Sequence, residues 1–224
     1  MTHPAYTMAR LNAKNARFDI GSGGVSELTQ QDIAAALAFV PAGLGRELLC
    51  RMWWPDGAQL TARQLADEME AIQRAEWSTR ETAMLDALLA VASHTGGDSM
   101  RHAQRLYAAA HAARWPKWVV SAETGMHNPV YAAMRRCVVL ELIEPKHCPA
   151  CGGRGLTITS AGPRDCERCE SAGTVAYGNT RRARHLGIIE SSYRQHWDAP
   201  YLWLLTHASD AVQAASRAME KATA

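Results

Sequence analysis

The sequence predicts a mostly α-helical fold that carries a small four-cysteine module of β-ribbon or knuckle type, followed by a C-terminal helix-turn-helix. Apolar residues make up 47% of the 224 residues, and Ala and Leu, which favour helix, are abundant among them. They recur at helical spacing over most of the chain. Two CxxC pairs then bring four of the six cysteines together. We therefore expect a helical domain over residues 28–145, a small module over 146–178, and a helix-turn-helix with a closing helix over 179–224.

The first 27 residues are predicted to form a flexible arm. They are polar, and a glycine cluster lies near their end at residues 21–24. A glycine-rich loop that binds phosphate needs a strand before it and a helix after it. Without that context, we interpret the cluster as part of a linker.

Five or six helices are predicted before the cysteines, separated by proline and glycine turns. The residues expected to begin helices are Thr29, Thr61, Ser78 and Asn128, with Glu81 completing a capping box after Ser78 and Pro129 in the first helical position after Asn128. Cys50 and Cys137 stand alone in apolar surroundings, so we expect both in the core.

Composition disfavours several classes of protein. The N-terminus has no apolar segment typical of a secretory signal, and no run approaches the roughly 18 apolar residues of a membrane span. We therefore expect a cytoplasmic protein without a membrane partner, in which disulfides are disfavoured. The formal net charge is +2, so nucleic-acid binding would depend on local charge. No catalytic motif is recognisable, and we expect no enzyme activity.

The four clustered cysteines predict a structural zinc site. Cys148 and Cys151 are followed, after fourteen residues, by Cys166 and Cys169. Each CxxC turn places two thiolates on one side of a metal, and two such turns complete a tetrahedron without a position for water. One zinc ion per chain would then fold a segment that is too small for a core of its own.

The residues around the two pairs predict a β-ribbon. We expect LTIT (156–159) to pair with TVAY (174–177). Gly152, Gly153 and Gly155 allow positive φ near the sulfurs. Two disulfides, four free thiols or an Fe–S cluster are the alternatives, but the spacing and the expected reducing compartment favour zinc. His147 is expected beside the site or at the surface.

Residues 180–197 predict a helix-turn-helix. Ala183 is the small residue at the helix contact, Gly187 supplies the turn, and Ile188 and Tyr193 occupy buried positions, in the pattern A-x3-G-x5-Y. Ile189 stands where a Ser or Thr cap is usual. An ordinary amphipathic helix pair with a solvated arginine face is the alternative.

The predicted helix pair is locally basic, with four Arg against one Glu between residues 179 and 197. In a helix-turn-helix the second helix enters the major groove while flanking cations meet phosphates. We expect phosphate contacts from Arg181, Arg182 and Arg184, base contacts from Arg194 and Gln195, and further exposed positions at Ser191 and Ser192. A closing helix is expected after Pro200.

This layout resembles the Q antitermination proteins of lambda-like bacteriophages, over about residues 145–215. The resemblance lies in CPACGGRG and CERCESAG, in the Tyr193-Arg194 pair with Trp197, and in Pro200-Tyr201. The second knuckle, CERCESAG, departs from the family's pattern because one expected glycine is missing.

The resemblance implies a factor that binds promoter DNA of phage late genes, joins paused bacterial RNA polymerase holoenzyme and lets it read through terminators. It implies a location in the cytoplasm of a bacterial host. We further expect residues before 145 to contact the polymerase, with Trp53, Trp54, Trp115 and Trp118 as candidates because large aromatics are enriched at interfaces. The alternative is that these four side chains fill the ends of the helical core.

Two other functions remain open at this point. One is another zinc-containing, sequence-specific DNA-binding regulator. The other is a protein-binding zinc module of the J-domain cochaperone type, whose repeats also contain CxxCxGxG. Those cochaperones carry several such repeats and an HPD motif, which this chain lacks. The sequence makes no prediction of oligomeric state.

Overall fold

The computed structural model describes residues 30–93, 96–144, 146–159 and 162–223. Within these residues helices dominate, and short strands form three two-stranded antiparallel ribbons. The expected flexible arm, its glycine cluster and the cap at Thr29 lie outside the described residues. None of the described helices is both long enough and apolar enough to span a membrane.

Two short helices open the described chain. α1 (Gln30–Leu37) is followed by α2 (Leu44–Trp53), which ends at a 3-10 turn, Pro55–Gly57. The N-cap position of α2 is Gly43, which has no side chain to cap it. Glu68 from the next helix supplies the cap, because its carboxylate accepts a 2.9 Å hydrogen bond from the N–H of Leu44.

α3 (Ala62–Ser93) is one helix of 32 residues. Its predicted start at Thr61 is confirmed by a capping box, in which the Thr61 hydroxyl accepts from the N–H of Gln64 and the Gln64 side chain accepts from the N–H of Thr61. The second helix start predicted at Ser78 is wrong. No glycine or proline interrupts residues 62–93, so the helix continues through Ser78.

α4 (Gly97–Ala112) folds back along the second half of α3. At the far end of this hairpin, Arg114 binds the carboxylate of Glu81 through two hydrogen bonds of 2.6 and 2.9 Å. A small ribbon follows, formed by β1 (Val119–Ser121) and β2 (Met126–His127). It leads into α5 (Pro129–Ile143), whose predicted cap is confirmed by a hydrogen bond from the N–H of Val130 to the Asn128 side chain.

Four strands build the module of residues 146–178. β3 (Lys146–His147) pairs with β6 (Thr174–Val175), and β4 (Leu156–Thr159) pairs with β5 (Gly162–Asp165). The predicted pairing of LTIT with TVAY is therefore wrong. LTIT pairs with the segment that follows it at once, because closing a short hairpin costs less chain entropy than closing a long loop.

The C-terminal part consists of α6 (Asn179–Leu186), α7 (Glu190–Ser192) and α8 (Asp198–Ala222). A single π-helical turn, Tyr193–Trp197, joins α7 to α8 without a break. The expected boundary at Pro200 is thus absent. Proline has no N–H to donate into the helical ladder, and the wider turn just before it absorbs the irregularity.

One apolar core joins the helices before and after the cysteine module. Its fully buried members include Leu48 of α2, Met134 of α5 and Leu204 of α8. α2 and α8 approach so closely that a Cβ at Gly45 would stand 2.2 Å from the carbonyl oxygen of Ala211. The described helices before and after the cysteine module therefore share one core, and the four cysteines form a cluster of their own.

Two of the four tryptophans proposed as exposed contacts are core residues, whereas Trp53 is exposed and Trp54 is half-buried. Trp115 and Trp118 are only 4% and 3% exposed, so the prediction that they form an accessible surface is wrong. Trp118 packs against the ring of Tyr131 at 4.5 Å, and Trp115 packs against Trp203 at 5.2 Å. These large rings fill the space between α3, α5 and α8, where burial of aromatic surface stabilises the fold.

Candidate metal centre and nucleic-acid interface

The four clustered cysteines converge on one point of the module. The sulfurs of Cys148, Cys151, Cys166 and Cys169 are buried and lie within 4.8 Å of one another. Two pairs of Sγ atoms are 3.9 and 3.8 Å apart, much longer than the disulfide length of about 2.05 Å. Four sulfurs at about 2.3 Å from a central ion would lie about 3.8 Å apart in a tetrahedron. The cluster therefore has the dimensions of a four-thiolate metal site.

The two CxxC turns share one hydrogen-bond pattern. The N–H groups of Gly155 and Gly173 each donate to the second sulfur of their own pair, both at 3.3 Å. The N–H groups of Cys148 and Cys166 donate to the carbonyls of Gly173 and Gly155 respectively, both at 2.8 Å. The module is thus a repeat of C-x2-C-x3-G, in which the glycine of each half also binds the other half. N–H groups directed at sulfur stabilise the thiolate that a metal requires.

The sulfurs differ in how readily they ionise. Burial opposes ionisation of Cys151, but N–H donors, chiefly from Gly155, lower the pKa of its thiol to about 7. Burial raises the pKa of Cys169 to about 12, with a further contribution from the neighbouring cysteines. All four sulfurs can be ionised together only with a cation among them, and a divalent metal at the centre of the cluster would supply it.

The second CxxC turn adopts the left-handed backbone of the first without its glycines. Gly152 and Gly153 have φ angles of 59° and 88°, and the corresponding Glu170 and Ser171 have φ angles of 48° and 67°. A non-glycine residue in this left-handed region destabilises the fold by about 1–2 kcal/mol. The departure from the glycine pattern in the sequence therefore leaves the loop geometry unchanged and introduces strain.

Gly155 and Gly173 cannot be replaced in the same way. A Cβ at Gly155 would stand 2.4 Å from the carbonyl oxygen of Ser171, and a Cβ at Gly173 would stand 2.5 Å from that of Gly153. The backbones of the two halves are in direct contact at these points. Both glycines are therefore required by close packing as well as by their positive φ angles.

Tyr177 fastens the module to the helical domain. Its ring is buried, and its hydroxyl donates a 2.9 Å hydrogen bond to the carbonyl of Glu144 at the end of α5. Arg181 covers the other side of the ring, with its guanidinium carbon 3.6 Å from the ring centroid. Tyr177, the last residue of the predicted strand TVAY, thus anchors the module beside the start of α6.

Glu141 is the centre of a buried polar network between α5, α6 and α8. Its carboxylate accepts two hydrogen bonds from Arg182, one from the N–H of Tyr177 and one from the hydroxyl of Tyr201. Burial alone would lower the pKa of the Arg182 guanidinium, but the bonds to Glu141 raise it above its ordinary value. The charge of each partner is therefore satisfied inside the protein.

This network overturns one predicted DNA contact. Arg182 is only 5% exposed and its guanidinium also lies 4.6 Å from the ring centroid of Tyr201. A side chain held in this way is not available to a phosphate. Its role is to fix α6 against the core.

The turn after α6 has the geometry that the sequence predicts around Gly187. This residue has φ 71° and ψ 27°, and its N–H bonds to the carbonyl of Arg184. The N–H of Ile188 bonds to the carbonyl of Ala183, which completes a Schellman motif. Ile189, at the N-cap of α7, makes no side-chain cap. Ala183 and Tyr193 are buried, as expected for two helices in contact, whereas Ile188, also expected to be buried, is only partly buried.

The other predicted contact residues lie on the surface. Six of the seven are exposed or half-exposed: Arg181, Arg184, Ser191, Ser192, Arg194 and Gln195. Arg194 forms an ion pair with Glu190, whose other oxygen accepts a 2.6 Å hydrogen bond from the Thr180 hydroxyl. The link between Thr180 and Glu190 lowers the pKa of that carboxyl and ties the start of α6 to α7.

Sequence reasoning missed Glu141 and Tyr177, which position the site without belonging to it. Glu141 is an acidic residue on the apolar side of α5, among Cys137, Val138 and Met134. Such a residue signals a buried partner, although its spacing from Arg182 gives no clue to the pairing.

We compared the chain with protein-family models, with curated proteins and with solved structures, and none matches it.

Proposed function

We propose that this protein is a DNA-binding transcription antitermination factor that also engages bacterial RNA polymerase. The observation that carries the proposal is the row of exposed Arg, Ser and Gln side chains on α6, on α7 and on the π-helical turn that continues α7. That row lies on two helices joined by a Schellman turn. The buried ion pair between Glu141 and Arg182 and the cysteine module hold these two helices in place. A rigid element with exposed donors is what base recognition requires.

The helix pair serves as the helix-turn-helix of this proposal. The recognition helix begins with α7 and continues through the π-helical turn, and Arg194 and Gln195 on that turn contact base edges in the major groove. Arg181 and Arg184 contact phosphates, which set register and orientation. To do so, Arg194 exchanges its exposed partner Glu190 for a base, a small cost because a surface ion pair contributes only about 0–1 kcal/mol.

Zinc is the proposed metal, one ion per chain and held by Cys148, Cys151, Cys166 and Cys169. A closed shell of four thiolates leaves no position for water, so the metal is structural. The module then stands beside Tyr177 and fixes the entry of the chain into α6.

The helical domain supplies the proposed polymerase contact. Since Trp115 and Trp118 are buried, the candidate surface is instead the group of exposed leucines at the hairpin of α3 and α4. Leu85, Leu88 and Leu89 are 54%, 44% and 67% exposed and follow one another on one stripe of α3. Leu106 on α4 adds to them at 48%. A grouped apolar surface of this kind indicates a protein partner.

A protein-binding zinc module of the cochaperone type is the second candidate. It is favoured by Leu156 and Ile158, which are 44% and 78% exposed on one face of the β4–β5 ribbon. In this case the ribbon would bind an apolar peptide, and the exposed arginines would have no role.

The experiment that tests the proposal is recovery of a duplex from a random 20-base-pair library, followed by anisotropy titration. The zinc-loaded full chain should bind the selected duplex more tightly than an unrelated duplex. Arg194→Ala should cost about 1–3 kcal/mol on the selected duplex only. Arg217→Ala, an exposed arginine near the end of α8, is the control and should change nothing. No enrichment of any duplex, together with binding of an apolar peptide that Ile158→Gln abolishes, would favour the second candidate.

A further inference from the structure

A cleft of about 620 Å³ adjoins the exposed side chains of Arg194 and Gln195 on the π-helical turn that continues α7. One wall is the segment from the end of α4 to β1, including Arg114 and Lys117, and the other is the π-helical turn with Arg194, Gln195 and His196. Its volume is in the range of about 300–1,000 Å³ that is typical of ligand sites. The cleft is therefore large enough to receive part of a ligand that lies along α7.

The floor of the cleft is apolar and its rim is cationic. Trp115, Pro116, Trp197 and Pro200 line it together with the charged side chains. Asp198 is the acidic residue among the lining residues. A sugar-phosphate backbone has the matching character, because an apolar sugar alternates with an anionic phosphate.

The cations of the rim are not equally available. Arg80 is held by Glu76 at 2.7 Å, and Arg114 is held by Glu81 at 2.6 Å. Lys117 is exposed, and no carboxylate of the described residues lies within ion-pair distance of its ammonium. An unpaired ammonium on the wall of a cleft is well placed to meet a phosphate.

We propose that this cleft binds the sugar-phosphate backbone of one DNA strand, with Lys117 as the phosphate contact opposite Arg194 and Gln195. This inference rests on the proposed DNA binding and extends it to the loop between α4 and β1, far from α7 in sequence. DNA would then be held from two sides. α7 contacts base edges, and Lys117 anchors the backbone beside them without reading sequence.

The test is the salt dependence of binding by the zinc-loaded full chain, with the selected duplex and an unrelated duplex as probes. Lys117→Ala should reduce the slope of log K against log salt by about one. It should weaken binding of both duplexes by the same factor, whereas Arg194→Ala weakens the selected duplex preferentially. Lys117→Glu should weaken both further. Arg217→Ala is the matched control, because its residue lies about 25 Å along α8 from Pro200.

The outcomes separate this inference from the proposed function. If the wild-type chain binds duplexes and Arg194→Ala reduces specificity, but Lys117→Ala leaves slope and affinity unchanged, the cleft does not contact the backbone and the inference is overturned. If the wild-type chain binds neither duplex, the proposed function itself fails. If Lys117→Ala weakens the selected duplex alone, Lys117 reads a base and the backbone assignment is wrong.

Discussion

Arg182 and Glu141 form an ion pair inside the protein, with the Arg182 Nη2 and Glu141 Oε1 atoms 2.7 Å apart and both side chains 6% exposed. The pair joins α5 to α6 across 41 residues of sequence. Removal of one member leaves the other charge buried without a countercharge. A loss of this kind costs about 3–5 kcal/mol.

We therefore expect Arg182→Met to lower the free energy of unfolding by about 3–5 kcal/mol, measured by urea titration of the zinc-loaded protein. Arg181→Met is the matched control, because the adjacent Arg181 is exposed, and it should change stability by less than about 1 kcal/mol. In the salt dependence of DNA binding, the substitution of Arg181 should have the larger effect and that of Arg182 the smaller. Arg181→Met should reduce the salt slope by about one, and Arg182→Lys, which retains the charge, should leave it unchanged. A stable Arg182→Met protein with a reduced slope would restore Arg182 as a phosphate contact.

The metal content of the chain is the second prediction. Protein purified under reducing conditions should contain one zinc per chain by elemental analysis. Cys151→Ser should lose the ion and unfold the module, because metal binding energy in such a small module is folding energy. Cys50→Ala is the control, since Cys50 is a buried cysteine of the α1–α2–α8 core, and it should retain the ion. Stoichiometric iron, or active protein without metal, would contradict the assignment.

The third prediction concerns strain in the second CxxC turn. Ser171 occupies the left-handed region with φ 67°, so Ser171→Gly should stabilise the zinc-loaded protein. The gain should be at most about 1 kcal/mol, because glycine relieves about 1–2 kcal/mol of strain but makes the unfolded chain more flexible.

Gly155→Ala is the opposite change in the same contact. Its Cβ would meet the carbonyl oxygen of Ser171 at 2.4 Å, and we expect a loss of at least about 2 kcal/mol. Gly178→Ala is the control, because Gly178 has a φ of −74° and no atom within 4 Å of an added Cβ. Thermal unfolding of the three variants measures all of these effects. Equal midpoints for Ser171→Gly and Gly155→Ala would refute the strain argument.

Local signals in the sequence account for much of the fold. Thr61 and Asn128 begin helices where their side chains can cap free N–H groups, and Gly187 ends one where positive φ is needed. The cysteine spacing also places four sulfurs together. Each of these features depends on residues only a few positions apart, or on a strong chemical preference for one geometry.

Long-range features of the fold were not predictable in the same way. The strand Gly162–Asp165 contains glycine, proline and aspartate, which have low strand propensity, so nothing in its composition identified it as the partner of LTIT. Arg182 lies in the sequence between Arg181 and Arg184, a context that predicts an arginine exposed to solvent. Its burial depends on Glu141, which only the packing of α5 against α6 brings within reach.

The last prediction tests the polymerase surface proposed at the α3–α4 hairpin. On the second half of α3, Leu85, Leu88 and Leu89 are all exposed. The double substitution Leu85→Gln and Leu89→Gln should leave stability within about 1 kcal/mol of wild type, because surface changes of this kind seldom cost more. It should also leave zinc content and affinity for the selected duplex unchanged. Read-through of a terminator by bacterial RNA polymerase holoenzyme should fall to the level without the factor.

The assay uses a template that carries the selected duplex next to a promoter, with a terminator downstream. The control is Phe39→Gln, because Phe39 is 78% exposed but lies outside the hairpin, and it should retain read-through. Loss of large apolar side chains from the centre of an interface costs the most binding energy, so an effect confined to the hairpin variant would identify that surface as the contact. Wild-type read-through by the double variant would exclude the hairpin. The wild-type chain could also bind the selected duplex tightly and yet give no read-through. A zinc-containing DNA-binding regulator would then be the better description, because DNA recognition by the recognition helix does not depend on the leucines of α3.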